Sequence, residues 1–474
     1  MGCMQLGSTR ACELTEPRWA WIGVADVALD DLRIEAPGDV RRASVFERMR
    51  VLTDTGARAT AARLRVELDA AGLQDVRVEE RERLWIDGSA IFRIDIPTGV
   101  ADAARAVDDL LERAGARMLD GGDLPARGAF TSDAPRELNT RHHGESRPQW
   151  FADELGFTAA RKAGLTGEGV RLAVVDSGVD TSHGELREAL RRGRVHDRFG
   201  SALGSNGHGT FVAGIVAGAR TGLAPAVDLV SSRTYGDAFA DHQGEDRASR
   251  FTQRANNVRA IQDAISPEDG SRGADVVVAS WGILDSPGVP ATDYDRAMAT
   301  VAAAGVVVVA AAGNDGARDG GGTLAVPAQL PDVIAVGGVD RAFDWHPRAS
   351  VGPSTRTGLP KPDLAAPVVD IRSTSLGGGA ADTTGSPDGG FAGTSASAPI
   401  VASLVALLVQ AVHDRGQASP DVDEVRTTLP LLTRDVDRPG PDARTGWGVA
   451  DAHRIQVAAD TIVAARLRPV SSAV

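Results

Sequence analysis

From about residue 150 the chain is built of short apolar runs separated by helical patterns. "VRLAVVDSG", "ADVVVASWG", "GVVVVAAAGNDG" and "DVIAVGGV" are Val-rich and end in glycine or polar residues. Apolar runs without polar alternation read as strands covered on both faces. Between them, "NNVRAIQDAI" and "DYDRAMATVAAAG" repeat apolar positions at helical spacing. Strands and helices in turn predict an α/β fold, a parallel sheet between two helical layers.

Upstream the texture differs. "ATAARLRVELDAAG" places Leu64 and Leu68 on one helical face and closes on Gly72. Asp87-Gly88, between "DVRVEERERLWI" and "SAIFRIDI", is a two-residue hairpin signal, and Phe92, Ile94 and Ile96 alternate with Arg93 and Asp95. "ADAARAVDDLLERAGA" then repeats apolar residues at Val107, Leu110, Leu111 and Ala114. With "RMRVL" as first strand and "ARML" as last, the order is βαββαβ, a small α+β plait. The expected organisation is an N-terminal arm over 1–50, the plait over 51–120 and a linker over 121–149. An α/β domain over 150–462 and a tail over 463–474 follow.

Composition narrows the partners. A formal net charge of -13 over 474 residues gives no electrostatic reason for nucleic-acid binding. No apolar stretch reads as long enough for a membrane span, so no membrane partner is expected. Glu13, Glu16 and Asp26 interrupt what would be a signal peptide. The chain as written is therefore expected in the cytoplasm, or outside the cell if its start is misassigned. Cys3 and Cys12 are too few for a disulfide framework and read as incidental thiols. The His142-His143 pair lacks a third ligand nearby and reads as solvated loop.

In an open parallel sheet, functional groups gather beyond the carboxyl ends of the strands. Asp176 directly follows four apolar residues, where a carboxylate is desolvated unless paired; capping the next turn is its other reading. His208 stands in "GSNGHGTFVAGIVAG", framed by glycines at a helix start. Asn314 follows an apolar strand and a glycine, as a neutral donor or as part of an Asn-Asp-Gly turn. Ser395 lies in "GGFAGTSASAPIVASLVALL", a helix cap or a nucleophile at a helix start. Together these residues fit nucleophilic catalysis, because serine needs a base and the base needs a carboxylate to fix its tautomer. The order Asp176, His208, Ser395 and the missing G-x-S-x-G elbow count against an α/β-hydrolase.

"VVDSGVD", "GHGTFVAGIVAG", "AAAGNDG" and "GTSASAP" resemble, in order, the segments of the subtilisin-like serine proteases (subtilases), and "KPDLAAP" and "GWGVADA" add to the likeness. It runs from Trp150 to about Ile462. The resemblance implies a subtilisin-like three-layer domain and serine endopeptidase activity on polypeptides. Ser395 would attack, His208 would move the proton, Asp176 would orient His208, and Asn314 with the Ser395 N–H would bind the oxyanion. Ser280, Trp281 and Gly282 would form an edge strand for the substrate backbone, and Ala312 and Gly313 part of the S1 wall. The plait resembles a subtilase prodomain, which implies a self-processed zymogen whose N-terminal domain inhibits it; a permanent accessory domain is the other reading. A peptide-binding pseudoenzyme and an esterase or amidase remain alternatives. No cofactor is expected for the chemistry, and no metal ligand is assigned. Only Ala219, Arg220, Thr221 and Gly222 stand where many members carry a calcium loop, so that calcium site is expected to be missing, while structural calcium elsewhere stays open. Asp315 and Asp319 beside S1 predict a mild preference for basic P1 residues.

Overall fold

The computed structural model describes residues 4–6, 9–11, 18–25, 38–96, 101–119, 148–196, 207–234, 247–267, 271–283, 293–317, 322–383 and 390–468. Cys3, Cys12, His142, His143, Asp319 and most of the expected linker fall outside these. The chain opens with a short hairpin, β1 (Met4–Leu6) and β2 (Thr9–Ala11). A four-stranded antiparallel sheet follows, built from β3 (Arg18–Gly23), β4 (Arg77–Leu84), β5 (Ser89–Asp95) and β6 (Arg117–Leu119) in the order β4-β5-β3-β6. It carries α1 (Gly38–Ala70) and α2 (Ala101–Arg113).

The βαββαβ order holds, but its first strand is not "RMRVL". That segment lies inside α1, and the strand is Arg18–Gly23, within the stretch expected to be an arm. Periodicity explains the difference: Val45, Phe46 and Met49, then Ala57, Ala61, Leu64 and Leu68, keep helical spacing along one 33-residue helix. The hairpin is also looser than a two-residue turn. β4 stops at Leu84, and Trp85 and Ile86 leave the sheet to be buried elsewhere, with Gly88 at φ 68° closing the turn.

The larger sheet has nine strands: β16 (Thr433–Arg434), β17 (Val449–Ala450), β13 (Leu364–Pro367), β12 (Val333–Val339), β11 (Val307–Ala311), β10 (Val276–Ala279), β7 (Arg171–Asp176), β9 (Asp228–Arg233) and β8 (Arg194–His196), in that spatial order. All neighbours are parallel except β16 with β17, and β14 (Arg372–Thr374) and β15 (Ala380–Asp382) pair separately as an antiparallel hairpin. After β7 the chain builds β8 and β9 on one side, then returns to the other side of β7 for β10. That reversal between β7 and β10 is where such sheets place their sites.

Alternation along each strand separates two apolar layers. Leu172, Val174, Val276, Val278, Val307 and Val309 face α5 (His208–Ala217) and α8 (Thr394–His413). Ala173, Val175, Val277, Ala279, Val308 and Ala310 face α6 (Arg247–Ile265) and α7 (Asp293–Ala303). Short helices α3 (Phe157–Lys162) and α4 (Arg187–Arg192), then α9 (Val422–Leu432) and α10 (Ile455–Arg466), complete the layers. α10 runs past residue 462, into the expected tail. α8 is long and apolar enough to cross a bilayer by length and composition, contrary to the reading of the sequence; its complete burial identifies it as the central core helix.

The small sheet uses both of its faces. Ala20, Ile22, Ala90, Phe92 and Ile94 pack under α2 and the second half of α1. Trp21, Ile91, Leu84, Trp85 and Ile86 turn the other way, and with Val45, Phe46 and Met49 they pack on Val258, Ile261, Tyr294 and Met298 of α6 and α7. Arg296 adds hydrogen bonds to the carbonyls of Ala25 (2.7 Å) and Asp87 (3.3 Å). At the start of α1, Arg41 pairs with Asp421 (3.2 Å) and Arg42 with Asp275 (3.4 Å). Asp275 directly precedes β10, so this second attachment lies at the amino ends of the strands.

Candidate active site

The residues proposed from sequence collect at the carboxyl ends of three adjacent strands, β7, β10 and β11, and at the amino ends of α5 and α8. Asp176 ends β7 and is 1% exposed. Both its oxygens face His208 Nδ1, at 2.8 and 3.0 Å. The Ser177 N–H donates to the Asp176 carboxylate at 2.7 Å, and the Asp176 carbonyl accepts from Thr234 N–H at 2.8 Å. The carboxylate is thus tied to its own strand exit, and the Asp176 backbone to the exit of β9.

His208 opens α5, after Gly207 at φ 67°. Gly209 has a specific reason to be glycine: a Cβ there would lie closer than 3.0 Å to the Gly178 carbonyl and 3.2 Å from Asp176 Cβ. Its N–H donates to Ser177 Oγ at 2.9 Å. The small residue lets the helix start press against β7 and hold the imidazole on the carboxylate. Burial works to lower the His208 pKa, but the charge of Asp176 and its hydrogen bond outweigh it and raise the pKa above the ordinary histidine value.

Ser395 stands in the first turn of α8, where backbone N–H groups lack intrahelical acceptors. Its hydroxyl donates to the Ser280 carbonyl at 3.0 Å, and the Ser280 hydroxyl donates to the Ser395 carbonyl at 3.0 Å. This exchange ties the exit of β10 to the start of α8. Ahead of it, Gly393 has φ 78° and ψ 166°, a conformation open in practice only to glycine. A Cβ on Gly393 would lie 3.0 Å from Asn314 Nδ2.

Asn314 follows β11. Its Oδ1 accepts from the Thr394 N–H at 2.9 Å, and the Thr394 Oγ accepts from the Gly313 N–H at 3.1 Å. With the oxygen engaged, the amide NH2 is the end able to donate to a reacting oxygen. Thr394 therefore positions Asn314. The sequence shows Thr394 only as part of "GTSASAP", because its partner lies 80 residues away in the chain.

The substrate-binding residues fall around the same point, with one difference from expectation. β10 ends at Ala279, so Ser280, Trp281 and Gly282 follow it outside the sheet ladder. The pairing resumes at Ile283, which exchanges two 2.9 Å hydrogen bonds with Val326. The Trp281 side chain is core: it is 1% exposed and its indole N–H donates to the Val175 carbonyl at 2.8 Å. Only its backbone can meet a ligand. Ala312 and Gly313 extend β11 opposite this segment, and the Ala312 carbonyl accepts from Ala325 N–H at 2.9 Å. Among the described residues, no group of three or more His, Cys, Asp or Glu could hold a metal.

A doubly covered parallel sheet with an Asp–His pair at one strand exit, a serine at a helix start and an amide beside it defines a class: α/β hydrolytic enzymes of the nucleophilic-serine kind. Residues 167–448 match the Subtilase family, which is more than half of the chain, and the chain belongs to that family. It is a serine endopeptidase by class. Subtilisin of Bacillus pumilus is 31% identical over 256 residues, covering 54% of this chain and 82% of that protein. Subtilisin NAT of Bacillus subtilis subsp. natto is 31% identical over 256 residues, 54% of this chain and 59% of its own length. Among solved structures, the prenylagaramide maturation protease PagA superposes with a TM-score of 0.50 at 24% identity, over 64% of this chain and 98% of that one. At that identity the likeness speaks to the fold.

Proposed function

We propose that this protein hydrolyses peptide bonds through Ser395, His208 and Asp176, and that its N-terminal plait makes it a self-processed zymogen. The observation that supports the reading is the buried Asp176–His208 pair, with Nδ1 2.8 Å from the carboxylate at the exit of β7. Ser395 Oγ attacks the carbonyl carbon as its proton passes to His208, and the C–N bond then breaks as His208 gives that proton to the leaving amine. A water then attacks the acyl group on Ser395, its proton passing through His208 to the departing Ser395 oxygen. Asp176 keeps His208 in the right tautomer and stabilises its cation. The Asn314 NH2 and Ser395 N–H receive the charge that develops on the carbonyl oxygen. The backbone of 280–282 pairs with the substrate, a form of strand addition.

The zymogen part of the proposal rests on the plait. Its outer face is apolar and covers α6 and α7, and after its last strand comes the linker over 121–149, where self-cleavage would fall. Calcium has no part in this reading. In the short loop after α5, the Thr221 carbonyl accepts from Gln149 Nε2 at 3.2 Å, and the Gly222 carbonyl accepts from the Arg161 guanidinium. A hard cation needs such oxygens free, and the Arg161 charge opposes it.

Intact mass after treatment with a fluorophosphonate tests the proposal, wild type beside Ser395→Ala. The expected result is an adduct on wild type only, on a chain lacking about its first 120–150 residues. An adduct on the full-length chain would make the plait an accessory domain. A folded chain freed of about its first 150 residues that still takes no adduct would overturn the catalytic reading.

A further inference from the structure

We propose that a cavity at the amino ends of the catalytic strands, opposite the Ser395 end, binds a phosphoryl-bearing small molecule held between the two domains. The site stands apart from the endopeptidase reading and neither depends on the other. The cavity measures about 660 Å³ and lies between the start of α1 and the loop that follows α8. That volume suits a small-molecule ligand. Arg41 and Arg42 of α1 line one side; Arg272, just ahead of β10, and Arg466, the last residue of α10, line the other. Four arginines around one cavity stand out in a chain of formal net charge -13. The acids among its walls are Asp421 and Glu424, with the buried Asp275 close by.

The two sides differ in how well their charges are met. Arg466 donates to both oxygens of Glu424 at 2.6 Å, and Arg272 meets Asp275 at 2.6 Å. These are the short bonds of well-formed ion pairs. The arginines of α1 are held loosely. The Arg42 side chain is only 12% exposed, yet its contacts to Asp275 and to the Ala304 carbonyl are both 3.4 Å. Arg41 meets Asp421 at 3.2 Å, and its Nε is shut off from solvent with no hydrogen-bond partner among the described residues. A shielded charged donor without an acceptor is costly, so an anion in the cavity would meet a demand that the protein leaves open. Consecutive residues of a helix point about 100° apart, so Arg41 and Arg42 approach the cavity from different directions. A carboxylate spends both its oxygens on one guanidinium fork, whereas a phosphoryl group has three and accepts from both arginines. The rest of the cavity has room for the remainder of a phosphorylated molecule. Because both domains supply arginines, ligand binding and the joined arrangement of the domains are linked.

The test is isothermal titration of inorganic pyrophosphate into the full chain carrying Ser395→Ala, so that no self-cleavage parts the domains. Ionic strength is held constant, and acetate serves as the comparison anion. Pyrophosphate should bind saturably and at least about tenfold more tightly than acetate, the worth of one further hydrogen bond to a charged group. Arg41→Ala should weaken pyrophosphate binding by at least about tenfold on the same ground. Asp421→Asn removes the acid that competes for Arg41, while asparagine still caps α9, so this variant should bind pyrophosphate more tightly than its parent. Loss of structure can only weaken binding, so the opposite sign of the second variant separates a lost site from a lost fold. The proposal is overturned if no saturable binding is found, or if acetate binds as tightly as pyrophosphate. It is equally overturned by an Arg41→Ala chain that binds like its parent, or by a folded Asp421→Asn chain that binds no more tightly.

Discussion

Replacing Gly393 by alanine probes how the amide of Asn314, proposed to bind the oxyanion, is held. Two costs can be worked from the structure. The backbone at φ 78°, ψ 166° is foreign to alanine and costs about 1–3 kcal/mol of folding stability. Separately, the new Cβ would stand 3.0 Å from Asn314 Nδ2 and 3.4 Å from its Oδ1. The oxygen end is tied to the Thr394 N–H, so the displacement falls on the donating NH2 end. Complete loss of such a donor costs about 10²–10³ in kcat, a figure that comes from a subtilisin and not from this chain. Gly393→Ala should therefore lower kcat towards that limit with little change in KM, and lower urea stability by about 1–3 kcal/mol. The discriminating assay is a double-mutant cycle with Asn314→Ala. Once the amide is gone, alanine at 393 has nothing to push, so the double variant should fall no more than about twofold below Asn314→Ala in kcat while keeping the full stability loss. Additive losses in kcat, or a Gly393→Ala enzyme with full kcat, would refute the reasoning.

Further outcomes follow from the same geometry. Because Asp176 raises the His208 pKa above 6.5 and the base must be neutral, the acid limb of the kcat/KM profile should lie above pH 6.5. Asp176→Asn removes both raising interactions and leaves burial, so the limb should move to lower pH while kcat drops by about 10⁴; a limb that stays in place would assign it to another group. Trp85, 6% exposed and edge-on to Phe46 at 4.8 Å, should cost about 3–5 kcal/mol in urea unfolding when changed to alanine. A loss below about 1 kcal/mol would mean the apolar face is not closed in solution. Chelators should leave the thermal midpoint unchanged, since Gln149 and Arg161 already engage the Thr221 and Gly222 carbonyls; a fall on EDTA treatment reversed by calcium would contradict this.

The large domain was legible because its signals are local. Val-rich runs ending in Asp176, Ser280 and Asn314 mark strand exits, and a parallel sheet brings strand exits together by construction. What the pattern could not show is pairing across the chain. Thr394 holds Asn314, Ser280 and Ser395 exchange hydroxyl bonds, and Ala325 lies against Gly282, each through contacts that no window of sequence contains. The plait shows the opposite failure. Its strand at Arg18–Gly23 is short and its side chains serve two different cores, Ala20 and Ile22 one and Trp21 the other. A strand buried on both faces has no polar alternation to reveal it. "RMRVL" looked like a strand by composition, while its helical register only emerges over the whole of α1.

The two separate attachments of the N-terminal domain have a consequence for concentration. α1 spans about 50 Å, with Arg41 and Arg42 in ion pairs at its start and the apolar contact beyond them. While the chain is continuous, its connection holds the domain at a local concentration of order millimolar, whatever the dilution. A cut anywhere within the linker over 121–149 would turn the same contacts into a meeting of two molecules. Occupancy would then depend on how much protein is present, and on salt, which screens the ion pairs far more than the apolar face. Dilution would become a signal that the intact chain is unable to sense.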